Sequence, residues 1–383
     1  MRLETELLLA CIRPACSPAL IEGLVDGKTL DWSRFVDLAT NHHVIPLVYR
    51  ALKHEATLPA TVREQLRRDR MRIAAHSVRA AYVLQRLQRR AAEQNIDLIP
   101  VKGPALAILA HGQGRESMRQ FEDLDLVVKP NDFLRAIDWL EALGYQPDPF
   151  LSSPNMRKRY FKTGQDWGLR KDGDPLILEL KPTLIWHVLS DGSSVDWLRA
   201  NSQPLKIDES KSLRAPTPEA MLLAVCLDGT HDKWRSLSTI ADVAHLLNAH
   251  PDANWGGLLG NASIQGHQRA LLVGLHITSE LLDCPLPPPF QDALEKDHQA
   301  LRLATPIVKR LRADPSRYPT VTELCLFAFR TRQCFRDRAR FALRLLFTPC
   351  LTELRAFRLP ARLFPLYALL RPFRLARDVR RGK

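Results

Sequence analysis

Gln120-Phe121-Glu122-Asp123-Leu124-Asp125-Leu126-Val127-Val128 is the stretch on which the fold turns. From Phe121 to Val128 the pattern alternates with a period close to two and ends at Pro130, which predicts a strand. Alternation sends Asp123 and Asp125 to one face of that strand and Leu124 and Leu126 to the other. Two carboxylates side by side repel, and a strand gains no packing from the pair. A divalent cation removes the repulsion, because hard oxygen ligands held close together are what Mg²⁺ prefers. Acids two residues apart also occur in ordinary hairpins, so the surrounding sequence has to decide between the two readings.

Upstream, Ile96-Asp97-Leu98-Ile99-Pro100-Val101 is short, rich in branched apolar residues and bounded by breakers, and reads as a first strand. Lys102-Gly103 follows, then a brief helix from Ala105 to about His111, an order that turns backbone N–H groups toward a phosphate. Gly103 lets the chain come close, Lys102 supplies charge, and Arg119 stands four residues ahead of Asp123, where it can clamp a phosphate.

Downstream, Asn131 as cap and Gly144 as stop predict a helix over Asp132–Leu143. Two or three strands are expected next, around Arg159–Thr163, Trp167–Arg170 and Pro175–Leu180. The turn Lys171-Asp172-Gly173-Asp174 marks a hairpin between the last two. Glu179 lies between Leu178 and Leu180 on the final strand. If that strand pairs beside the Asp123–Asp125 strand, three acids converge on one or two metal ions. The β-α-β-α-β-β order predicts an α+β module, a small mixed sheet with helices on one face, spanning residues 96 to about 182.

Helical patterns surround the module. Pro59 and Thr61 open a long helix that Asn95 can close, with Ile73, Ala80, Leu84, Leu87 and Ala91 along one face and nine arginines around the rest. Those arginines read as a solvated face. From Thr183 onward helices are expected again, with Thr217 capping one that begins at Pro218. The run Pro285–Pro289 reads as a stiff surface connection. The chain accordingly divides into a helical N-terminal region (1–95), the α+β core (96–190), a helical domain (191–308) and a basic helical segment (309–383).

Charge is concentrated in that last segment. Residues 309–383 carry 19 Lys and Arg against 5 acids, a local +14 that exceeds the whole chain's +13 and leaves the remainder about neutral. Arg330, Arg332, Arg336, Arg338, Arg340 and Arg344 stand beside Phe329, Phe335, Phe341 and Leu345, and the run Leu363–Tyr367 leads into further arginines. Apolar residues adjoining cations suit peripheral attachment to an anionic membrane surface. Packing of the apolar residues on the helical domain, with solvated arginines, is the plainer alternative. Few aromatics alternate with the arginines, so nucleic acid is not the favoured partner. No apolar run reaches the ~18 residues that a membrane span needs. Seven cysteines without a CxxC pair are expected to be reduced thiols, mostly buried, in a cytoplasmic protein.

Lys102-Gly103, Arg119 and Asp123-Leu124-Asp125-Leu126-Val127 resemble the core motif of the nucleotidyltransferase superfamily with the DNA polymerase β type palm. More narrowly they resemble the uncharacterised bacterial nucleotidyltransferase-like family associated with polysaccharide and natural-product gene clusters. The resemblance extends over most of the chain, including Trp234–Asp242 and Leu359-Pro360…Leu366-Tyr367…Leu370-Arg371-Pro372. It implies a nucleotidyltransferase core in which Asp123, Asp125 and Glu179 are catalytic and bind Mg²⁺ or Mn²⁺, while Lys102, Gly103 and Arg119 position a nucleoside triphosphate. Two positions depart from the pattern: Pro104 stands where a second small residue is usual, and Lys181 where a His often follows the third acid.

Such a site supports in-line transfer of a nucleotidyl group to the hydroxyl of a small-molecule, sugar or carrier-bound acceptor. The alternatives are a toxin-like transferase that modifies tRNA or protein, and an inactive nucleotide-binding scaffold. Other polar residues read as structural or peripheral. His42-His43 fits packing better than metal binding, His231, Asp232, Trp234 and Arg235 form a cluster at a helix–helix turn, and His187 follows the third acid closely. The Ser190–Ser194 loop offers no partner for a serine nucleophile.

Overall fold

The computed structural model describes residues 2–184, 194–207 and 211–380. Four short helices, Leu3–Ile12, Pro18–Val25, Trp32–Asn41 and Ile45–Leu52, lead into a 34-residue helix, Ala60–Glu93. Its buried face is the expected one, with Ala80, Leu84, Leu87 and Ala91 inward. Asn95 adopts a left-handed φ of 52° just past its end, a conformation that Asn tolerates better than most residues.

The sheet has five strands: β1 (Ile99–Pro100), β2 (Asp123–Val127), β3 (Tyr145–Pro147), β4 (Trp167–Lys171) and β5 (Asp174–Lys181), in the order β1-β2-β5-β4-β3. β2 and β5 run parallel, and every other pairing is antiparallel, so the sheet is mixed and the architecture α+β. The first strand is shorter than expected, since only Ile99 and Pro100 pair. Pro100 is tolerated because β1 lies at the sheet's edge.

Three local expectations need correction. Arg159–Thr163 is no strand: Pro154–Phe161 is a helix that buries Met156 and Tyr160, four residues apart on one face. The helix expected at Asp132 begins at Pro130, so Lys129 rather than Asn131 precedes it. A two-stranded hairpin, β6 (Ser202–Lys206) with β7 (Ser212–Pro216), interrupts the region expected to be wholly helical.

Apolar residues form two cores. Leu124, Leu126, Leu178 and Leu180 pack with the long helix, with Pro130–Ala142 and with Trp167 on one side of the sheet. Ile99, Val101 and Val127 belong instead to a second core shared with the N-terminal helices and with Pro218–His231, Leu237–Ala249 and Gln268–Leu282. Thr217 caps the helix Pro218–His231 as expected, its hydroxyl accepting from the Ala220 N–H.

The C-terminal helices Val321–Arg330, Phe335–Phe347, Leu351–Phe357 and Phe364–Arg380 add Leu354, Phe364 and Tyr367 to the sheet-side core. Among the described residues no helix is long and apolar enough to cross a membrane. The seven cysteines are unpaired, but burial is less general than expected: three are buried, three half-buried, and Cys334 is exposed. The proline run is not purely a connection, since Pro288 opens the helix Pro288–Lys296.

Candidate active site

Strand alternation and one register bring the acids together. β2 points Asp123 and Asp125 away from the leucine core, and the parallel pairing sets Asp125 directly beside Glu179. The three carboxylates offer oxygens that all lie within 4.8 Å of one another. Asp125 is only 3% exposed, whereas Asp123 and Glu179 are half-buried.

Two lysines stand among these acids. The Lys181 ammonium lies 2.9 Å from Asp125 Oδ1, 3.1 Å from Glu179 Oε2 and 3.1 Å from Asp166 Oδ2. The Lys102 ammonium lies 2.5 Å from Asp228 Oδ1 and 3.4 Å from Asp125 Oδ2. Asp123 has no ion-pair partner among the described residues.

The electrostatics follow this division. Burial, then the neighbouring Asp125 and Glu179 carboxylates, push Asp123 up to about 6. Burial also acts to raise Asp125, but Lys102 and Lys181 outweigh it and hold the carboxyl well below the usual range. Burial alone would depress Lys181, and the surrounding acids lift it well above an ordinary lysine. Burial raises Asp166, whereas Lys102 keeps Asp228 low against its own burial.

Gly103 is at φ +57°, in the left-handed region, and a Cβ there would meet Leu124 Cδ2 at 3.2 Å. The residue is therefore required twice, by backbone conformation and by close approach to β2. The helix Gly103–His111 starts at this turn, with Pro104 second in its first turn, where a missing N–H breaks no helical bond.

Arg119 reaches a different partner from the one its position predicts. Its Nε donates to both carboxylate oxygens of Asp242, at 2.9 and 3.1 Å, and its guanidinium lies over the Phe121 ring. Arg119 nevertheless lines a cavity of about 370 Å³ together with Lys102, Asp123, His43, Arg235 and Tyr318. A second cavity, of about 290 Å³, shares Lys102 and Asp123 with the first and holds Asp125, Asp166, Glu179, Lys181, Asp228 and His231. The carboxylate cluster thus stands where two chambers meet, an arginine chamber in which Arg119 and Arg235 face Glu122 and Asp232, and one predominantly acidic.

The His231–Arg235 cluster divides by position. His231 lines the acidic chamber, while Asp232 and Arg235 line the arginine chamber. Burial, then Asp228, pushes Asp232 up to about 7. Trp234 is fully buried, and a Cβ on Gly229 or Gly274 would collide with its ring, so it anchors the turn. His42 is buried, its Nδ1 accepting from the Leu237 N–H, and His43 faces the arginine chamber. His187 lies outside the described residues.

Asp166, Asp228 and Lys181 were not singled out from the sequence as site residues. Lys181 carried a signal, since it follows Glu179 by two positions and so shares its face. Asp228 carried a weaker one, as an acid inside the apolar run of Pro218–His231.

The donor set fits a divalent cation: hard oxygens within 4.8 Å, one of them on a half-buried carboxylate that has no ion-pair partner among the described residues. No curated protein and no solved structure matches the chain. A family model described as uncharacterised nucleotidyltransferase matches residues 28–283, a span that holds the whole sheet, both chambers' acids and both lysines, and the chain belongs to that family.

Proposed function

We propose that the protein transfers a nucleotidyl group from a nucleoside triphosphate to a hydroxyl of a small-molecule, sugar or carrier-bound acceptor. The observation that carries this reading is the register that sets Glu179 beside Asp125, so that acids from two strands meet at one point. Asp123, Asp125 and Glu179 would hold Mg²⁺ or Mn²⁺. When bound, the ion would neutralise charge on the transferring phosphates and acidify the acceptor hydroxyl.

The chain's own groups do the rest. Arg119, Arg235 and Lys102 attract the triphosphate into the arginine chamber, and the half-exposed Tyr318 offers a ring against which a base can stack. The acceptor enters the acidic chamber. Its hydroxyl oxygen bonds to the α-phosphorus, the bond from that phosphorus to the α–β bridging oxygen breaks, and pyrophosphate departs. The hydroxyl proton passes to Glu179, whose side chain is 37% exposed against 3% for Asp125.

A second reading has its own observation. Lys181 already satisfies Asp125 and Glu179, as a resident cation would in a scaffold that binds nucleotide without turning it over. One experiment separates the two. Pyrophosphate release is measured with each nucleoside triphosphate and Mg²⁺ or Mn²⁺, alongside thermal unfolding. Transfer predicts both turnover and metal-dependent stabilisation, each lost in Asp123→Asn. Stabilisation without turnover in the presence of candidate acceptors favours the scaffold, and no stabilisation by any nucleotide sinks both.

A further inference from the structure

The family match ends at residue 283, and the C-terminal helices lie beyond it. Their surface differs from that of the matched region. Among the described residues before position 300 five large apolar side chains are exposed, scattered along the chain, whereas nine are exposed between Phe335 and Phe373 alone.

The exposed residues fall in rows. On Phe364–Arg380 the inward face is Phe364, Tyr367 and Arg371, fixed by the Tyr367 hydroxyl at Leu359 and by ion pairs from Arg371 and Arg374 to the buried Glu353. Leu366, Leu369 and Phe373 lie outward, with Leu369 59% and Phe373 76% exposed. On Phe335–Phe347, which packs against that helix, Phe341 is inward while Leu343, Leu346 and Phe347 are exposed. A helix that covers one core is normally polar on its far side. These two are apolar on both sides, and contiguous exposed apolar rows of this kind mark an interaction surface.

The charge around the rows selects the partner. Between Phe335 and Arg377 ten arginines stand against two acids, with no lysine. Both acids are already engaged, Asp337 with Arg340 and Glu353 with Arg371 and Arg374. Arg336, Arg358 and Arg362 are exposed and adjoin the exposed Phe335, Phe357 and Leu363 in sequence, and the exposed Arg377 lies one turn beyond Phe373. A second copy would set arginine against arginine. Guanidinium groups match phosphate oxygens with paired hydrogen bonds, and amphipathic helices that combine arginines with Leu and Phe lie in the headgroup layer of a bilayer.

We propose that the helices Phe335–Phe347 and Phe364–Arg380 dock the protein on an anionic phospholipid bilayer, their outward Leu and Phe side chains entering the acyl boundary and their arginines meeting lipid phosphates. This assignment does not depend on the nucleotidyl-transfer reading.

The test uses the full chain and co-sedimentation with vesicles of phosphatidylcholine alone or mixed with phosphatidylglycerol. Binding is expected only with the anionic lipid, and it should weaken as salt rises from about 0.1 M to about 1 M. The triple variant Leu366→Ser, Leu369→Ser, Phe373→Ser should lose at least about tenfold in partitioning, since these side chains are exposed and their replacement leaves the core intact. The variant Arg336→Gln, Arg362→Gln, Arg377→Gln should lose about fivefold per residue on the same vesicles and keeps the test decisive should the first variant misfold. Equal binding to neutral and anionic vesicles, or wild-type binding by a folded triple variant, overturns the proposal. So does a concentration-dependent dimer, abolished by the triple variant, in a protein that ignores vesicles.

Discussion

The ammonium of Lys181 bridges Asp125 and Glu179, 2.9 Å from one carboxylate and 3.1 Å from the other, although Lys181 and Glu179 are separated by a single residue on β5. The lysine thus occupies part of the space between the acids that a divalent cation would share. Tethered charge and free ion compete for the same oxygens.

Replacing that lysine should therefore couple stability to metal. Lys181→Met leaves the half-exposed Asp166 and Glu179 without their lysine and Asp125 with Lys102 alone, and the metal-free variant is expected to lose about 2 kcal/mol. Mn²⁺ should restore most of this, and Mn²⁺ should bind the variant more tightly than the wild type. Thermal unfolding and calorimetric titration with Mn²⁺ read both quantities. A variant as stable as wild type with unchanged Mn²⁺ affinity would show that Lys181 and the ion do not share the site.

Asp123 gives the pH dependence. Its folded-state value of about 6 lies above that of an unfolded aspartate, so the folded protein holds the extra proton between the two values. Stability contributed by this group is then present at low pH and falls as pH rises through about 6. In metal-free protein at pH 8, Asp123→Asn should be more stable than wild type by on the order of 2 kcal/mol, with the gain vanishing toward pH 4. Chemical denaturation across that range checks it. A gain independent of pH would point to a cause other than carboxylate repulsion.

Gly103 offers a test confined to the backbone. Gly103→Ala must hold a left-handed φ and press its methyl on Leu124, and a loss of about 1–2 kcal/mol is expected. Because Leu124 lies between the two acids, the same change should lower Mn²⁺ affinity. Urea denaturation with and without Mn²⁺ separates the effects, and wild-type stability in the variant would mean that the turn relaxes freely.

The parts of the site that follow local rules were legible in the sequence. Asp123 and Asp125 share a face because strands have a period of two, and Gly103 sits at its turn because few other residues accept that φ. The order of elements around Asp123 likewise pointed to the mixed sheet. What stayed hidden depends on packing between distant segments. Asp228 meets Lys102 only because Pro218–His231 crosses over the acid-bearing side of the sheet, and Arg119 meets Asp242 across more than a hundred residues. Arg159–Thr163 was misread because Tyr160-Phe161 favours strands locally, while burial of Met156 and Tyr160 on one face holds the segment helical. The β6–β7 hairpin carries too few apolar residues for alternation to stand out.

The single parallel pairing in the sheet also bears on how the protein folds. β2 and β5 are separated by two further strands and two helices in sequence, so the loop that joins Asp125 to Glu179 closes late, after the local elements have formed. That closure would bring like charges together, yet β5 arrives with Lys181 beside Glu179 and carries its own counterion into the docking step. Assembly of the sheet consequently does not have to wait for an ion from solution, and a newly made chain can reach its native topology before any metal is loaded.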